Sequence, residues 1–295
     1  VHVTKAPHLQ NTTLPNVLHV RYSAFFPVSR TESNCVELLL SLLTLEQRVA
    51  PYIDLRVVIY TLAIYRAGFQ RLSTQFKIPF SIIALDTEFA AKYAEWTAVA
   101  NSIQHALPVD RLCIVRLFAD FHILPADEHR LMIGCDVFFL EVPQELLAFI
   151  WKGKKKSKVL YLSDAYSFAG VPYRLRYYHP PILEGLVADF YCLAPGVKLH
   201  ENAIHGCLKM IDDWPTIPRR WDPPLHSSIV HACEQQAAAI LLQPFKGESL
   251  PVERYANNFE NPGLTVFHGH ATKFVVKRLD EDIMARSRAI IEDCM

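Results

Sequence analysis

"DRLCIVRLFADFHILPADEHRLMIGCDVFFLEVPQELLAFI" (110–150) is the stretch on which the reading of this chain turns. Residues 109–124 read as a helix that carries Asp110, Arg111, Arg116 and Asp120 among apolar residues. Residues 130–140 form a strand-like apolar run interrupted by one carboxylate, Asp136, and "VPQELLAFI" (142–150) reads as the start of a short helix. A lone carboxylate at the end of a buried strand is either a turn residue or a ligand for a metal and a phosphate.

Outward from this stretch, strands and helices alternate. Strands are expected at 16–25, 54–62 and 79–86, the last ended by Asp86, and helices at 35–49 and 87–107. Ser33 or Asn34 is the expected N-cap of the first helix, and Thr87 lies near a cap of the second. Beyond residue 150 come a strand in 158–168 and another in 186–199 that breaks at Pro195-Gly196. Helices follow at 201–214 and 226–245, then a strand in 263–277 and a closing helix, "DEDIMARSRAIIEDC". This order predicts one α/β domain, 1–295: a mostly parallel sheet flanked by helices, with an irregular, proline-rich C-terminal lobe. Residues 1–150 and 151–295 would form its two halves.

The bulk composition narrows the function. Thirty Lys and Arg balance thirty Asp and Glu. No global field draws the chain to nucleic acid, so an anionic ligand needs a local site. The seven cysteines are scattered and form no C-x-x-C pair, which argues for a reducing compartment. No apolar run is long enough for a transmembrane helix. The expected location is cytoplasmic, with a peripheral membrane association left open. The chain begins with Val rather than Met, which leaves room for an upstream segment. Neither a G-x-G-x-x-G turn nor a P-loop occurs, and neither does a G-x-S-x-G elbow or H-E-x-x-H.

In open α/β sheets, ligands sit beyond the carboxyl ends of the strands. Asp136, Asp86 and the "HGH" of His268 and His270 lie near such ends, with Lys273 just beyond. Glu234 and Gln235 stand inside an apolar helix, where a carboxylate is costly unless paired. Asp164, in "KVLYLSDAY", rivals Asp136, and Gly196 would let backbone and ligand approach closely. Each has a structural alternative: a turn, a packed histidine, a paired core carboxylate. The lysines at 154–156 read as a solvated loop, and Trp214 and Trp221 as packing residues or the rim of a sugar-binding groove.

In combination these features resemble GT-A glycosyltransferases of the glycogenin and bacterial galactosyltransferase-like group. Residues 110–150 follow that group's order of R-L-x-x-x-x-L-P, strand, D-x-D, V-x-F and short helix. "FYCLAPGVKL" keeps Gly196 and Leu199 of its N-S-G-x-x-L, "EQQ" stands for its D-Q, and "FHGHATKF" for its H-x-x-G-x-x-K-P. The D-x-D here is Gly134-Cys135-Asp136, so the first carboxylate is missing.

The resemblance implies transfer of a sugar from a nucleotide-sugar donor to an acceptor hydroxyl on a carbohydrate, lipid or protein, with retention of configuration. It makes residues 1–150 the nucleotide-binding half and 151–295 the acceptor-side half. A divalent cation (Mn or Mg) would be held by Asp136, His268 and His270, oxygen and imidazole being suitable ligands. Lys273 would meet the diphosphate as a point charge. Tyr22, Ser23 and Gly196 would line the donor site, and Glu234, Gln235 and Asp164 would serve catalysis. Without the first carboxylate, metal-independent chemistry through Lys and Arg is an alternative. A non-catalytic nucleotide- or sugar-binding module and a nucleotidyltransferase are the rival functions.

Overall fold

The computed structural model describes residues 16–101, 108–152, 157–163, 186–198 and 276–294, with short stretches between 238 and 268. Its main sheet has seven strands: β1 (Val17–Ser23), β2 (Asp54–Thr61), β3 (Phe80–Ala84), β4 (His129–Ile133), β6 (Val159–Ser163), β7 (Leu186–Leu193) and β8 (Gly247–Ser249). They lie in the order β3-β2-β1-β4-β7-β6-β8. β3, β2, β1 and β4 are mutually parallel, β7 runs antiparallel to both β4 and β6, and β8 is parallel to β6. The expected mostly parallel sheet flanked by helices is therefore present.

A second sheet has three strands, β5 (Val137–Phe139), β10 (Val266–His268) and β9 (Tyr255–Ala256), with β10 in the middle. The helices whose bounds lie within the described residues are α1 (Ser33–Arg48), α2 (Ala63–Ser73), α3 (Leu85–Glu88), α4 (Ala90–Asn101), α5 (Pro108–Ile123), α6 (Gln144–Lys152) and α7 (Glu281–Cys294). No described helix is long and apolar enough to cross a membrane.

The alternation of side chains along the strands divides the core into two layers. Leu18, Val20 and Tyr22 of β1 and Leu131 and Ile133 of β4 pack in one layer with Leu38, Leu42 and Leu45 of α1. Met132, Tyr191 and Leu193 pack in the other with Val115, Phe118 and Ala119 of α5. α7 rests on α1 and α2. It is fastened by the pairs Arg48–Asp280 at 2.6 Å and Arg286–Glu46, and the Arg286 guanidinium stacks over Phe76.

Several local expectations are corrected. The run 130–140 is two strands in different sheets, because the chain turns at 134–136 between β4 and β5. The run 87–107 is broken at Phe89, whose backbone leaves the helical region, and 102–107 lie outside the described residues. The N-cap of α1 is Glu32 rather than Ser33 or Asn34, and no side chain caps it. Asp86 is a helix residue: its Oδ1 accepts the Ala63 N–H at 2.8 Å and so caps α2.

β5 lies at the margin of the small sheet, yet its outer backbone groups are satisfied. Ser41 Oγ donates to the Val137 carbonyl, and Thr44 Oγ1 accepts the Phe139 N–H at 3.1 Å. The two hydroxyls in the leucine-rich α1 therefore complete the strand's hydrogen bonding. Since Ser41 gives its only proton to Val137, the Tyr22 hydroxyl donates to Ser41, at 2.8 Å.

At the start of β4, burial pushes the His129 imidazole down to about 4 from an ordinary 6.5. Between those values the unfolded chain binds more protons than the folded one. The stability from neutral His129 is therefore full above about 6.5 and lost as pH falls through about 4. It is worth on the order of 2 kcal/mol. Urea midpoints of the wild type should accordingly fall more between pH 7 and pH 4 than those of His129→Leu. Equal falls would show that His129 is not buried in its neutral form.

Candidate active site

β1 has β2 on one side and β4 on the other, so the chain leaves β1 in one direction and reaches β4 in the opposite one. Such a switch point opens a crevice outside the carboxyl ends of the two strands. Ser23 ends β1, and Ile133 ends β4. Gly134-Cys135-Asp136 follows directly, and Cys135 Sγ donates to the Ser23 carbonyl at 3.3 Å. The turn carrying Asp136 is thus tied to the strand at the crevice's other side. Burial pushes the Cys135 thiol well above its ordinary range, with Asp136 next in effect, so it acts here as a neutral donor.

Asp136 is buried, at 8% exposure. Across the sheet from Gly134 is Asp189 of β7, whose carbonyl accepts the Gly134 N–H at 2.9 Å. Arg116 of α5 pairs with the Asp189 carboxylate at 2.6 Å. One turn along the same helix, Asp120 forms a two-pronged pair with Arg21: Nε to Oδ1 at 2.8 Å and Nη2 to Oδ2 at 2.7 Å. Tyr191 donates to the same carboxylate at 3.3 Å. Burial works against charge on both partners, but the Asp120 carboxylate holds Arg21 above its ordinary value. The polar positions of α5 therefore form a charged layer beneath the crevice, running from Arg21 through Asp120 and Arg116 to Asp189. Asp189 was not singled out in the sequence; the signal was a lone carboxylate within the apolar strand "LVADFYCL".

The backbone register brings a second predicted element to the turn. β10 runs antiparallel to β5 with His268 opposite Val137, the residue after Asp136. The "HGH" segment thus begins beside Asp136. Among the described residues, no group of three or more His, Cys, Asp or Glu side chains is gathered for a metal ion.

The other predicted residues are distributed as follows. Tyr22 is a fully buried core residue, its hydroxyl bound to Ser41. Ser23 is half-buried at the crevice, and its hydroxyl accepts from Arg21 Nη1 at 3.4 Å. Gly196 lies in an exposed turn after β7 with φ +83°, and nothing stands within 4 Å of where a Cβ would project. That backbone conformation is one that favours glycine. Asp164, Glu234, Gln235, His270 and Lys273 lie outside the described residues, as do the lysines at 154–156.

No family model matches the sequence, and no curated protein matches it by sequence alone. Solved structures do match by shape. Mouse xyloside xylosyltransferase 1, in its apo form, aligns with TM-score 0.52 at 13% identity, covering 87% of this chain and 98% of that one. Galactosyltransferase LgtC, in complex with donor and acceptor sugar analogs, aligns with TM-score 0.47 at 12% identity over 91% and 99% of the two chains. With its strand order and its switch-point crevice, the chain has the GT-A fold of glycosyltransferases.

Proposed function

We propose that this chain is a glycosyltransferase moving a sugar from a nucleotide-sugar donor to an acceptor hydroxyl. The observation that carries this reading is the position of Asp136: buried, in the turn after β4, at the switch point of a GT-A sheet, with His268 entering beside it. A divalent cation, Mn or Mg, bound there would neutralise charge developing on the leaving diphosphate. The residues suit such a cation: the side chains of Asp136 and Asp189 both lie against Gly134, and an imidazole-bearing segment begins next to the turn.

Asp136 would hold the cation with His268 and His270, and Lys273 would meet the diphosphate. Ser23, at the end of β1, borders the nucleoside. Glu234, Gln235 and Asp164 serve the sugar and the acceptor, in the half formed by residues 151–295. The buried pairs of α5 hold the carboxylates in fixed places before donor arrives, so little reorganisation accompanies charge development.

Thermal unfolding with uridine or guanosine diphosphate, with and without Mn2+, tests this reading. A ligand at a hundred times its Kd adds about 2.7 kcal/mol of stability. For a chain of this size that raises the melting temperature by roughly 5 °C or more. One nucleotide with Mn2+ should do so; no shift with either would overturn the proposal. Hydrolysis of the matching nucleotide-sugar would then separate a transferase from a binding module, in which the donor persists intact.

A further inference from the structure

We propose that Asp189 supplies the carboxylate missing from position 134, so that the metal-binding pair of this chain is Asp136 with Asp189, drawn from two strands rather than from one D-x-D turn. The inference rests on the transferase reading above and concerns how its cation is held.

The argument begins with the space around Gly134. A Cβ there would stand 2.7 Å from Asp136 Oδ1, 3.1 Å from Asp189 Cβ and 3.2 Å from Asp189 Cγ. Real Cβ atoms do not tolerate the first of these contacts, and the other two are tight. The Asp189 side chain therefore lies where a side chain on residue 134 would begin. A side chain at 134 would force Asp136 and Asp189 to give way, and this chain has glycine there. Gly134 is accordingly matched to Asp189, which its own N–H helps to seat through the Asp189 carbonyl.

Arg116 of α5 pairs with Asp189 at 2.6 Å and acts as a positioning residue for its carboxylate. That pair alone does not explain the bare backbone at 134. The glycine leaves room for the Asp189 carboxyl carbon and an Asp136 oxygen to face the same point from two strands. A divalent cation arriving there with the donor would meet both carboxylates.

Titration of the purified chain with Mn2+, with and without saturating uridine or guanosine diphosphate, followed by electron paramagnetic resonance of free Mn2+, tests this. Asp189→Asn should weaken Mn2+ binding at least about tenfold, as Asp136→Asn should, since even residues that only support metal ligands carry effects of 10–100-fold. Wild-type affinity in Asp189→Asn, beside a loss in Asp136→Asn, would overturn the inference and leave the transferase reading standing. Absence of Mn2+ binding in the wild type would overturn it too. A nucleotide-induced thermal shift that persists there would keep the donor site, and loss of that shift would remove the transferase reading as well.

Discussion

Asp120→Asn is expected to lower the unfolding free energy by about 3–5 kcal/mol, the usual cost of leaving one member of a buried ion pair without its counter-charge. Arg21 and Asp120 are both fully buried and joined by two hydrogen bonds. Asparagine keeps the shape but removes the charge, so the Arg21 guanidinium stays in the core with an uncompensated charge. Tyr191 loses an ionised acceptor at the same time. Urea unfolding, read by its midpoint at unchanged slope, measures the loss. The double variant Arg21→Met with Asp120→Leu should be more stable than Asp120→Asn, since an apolar pair leaves no charge behind. A loss below about 1 kcal/mol for Asp120→Asn would show that the pair is not ionised in the folded chain.

The second large effect is on catalysis. Asp136→Asn should lower the sugar-transfer rate by about 10²–10³-fold, the range seen when one electrostatic contributor to a charged transition state is removed. The side chain is buried at the crevice, and the amide has nearly the same volume. The fold should therefore survive, with the melting temperature without ligand close to that of the wild type. Steady-state transfer or donor hydrolysis, once the donor nucleotide is identified by thermal shift, gives the number. Undiminished turnover in this variant would remove Asp136 from the machinery.

The sheet was legible because β-branched and apolar runs bounded by helical segments have few alternative readings: 54–62 and 79–86 became β2 and β3 nearly as read. The boundary inside 130–140 was not. An apolar run has the same pattern whether it stays in one sheet or crosses to another, and only Gly134 marked the change. Asp136 could be picked out because a carboxylate is conspicuous in a greasy run. Asp189 could not be assigned, because its meaning lies in a cross-strand contact with Gly134, 55 positions away. Arg116 and Asp120 read as the polar positions of a helix, whereas the structure turns both inward because Arg21 and Asp189 wait there with opposite charge. In sequence, position 134 shows only a missing carboxylate; in three dimensions the Asp189 side chain stands where one on residue 134 would begin.

The hydroxyls of Ser41 and Thr44 bear on how this protein meets other chains. A short marginal strand with free amides and carbonyls is a template on which a foreign strand can grow, and such margins lead to aggregation. At β5 the template is already occupied by a helix of the same chain. The strand next to Asp136 is thus closed to strand-by-strand recruitment of another chain.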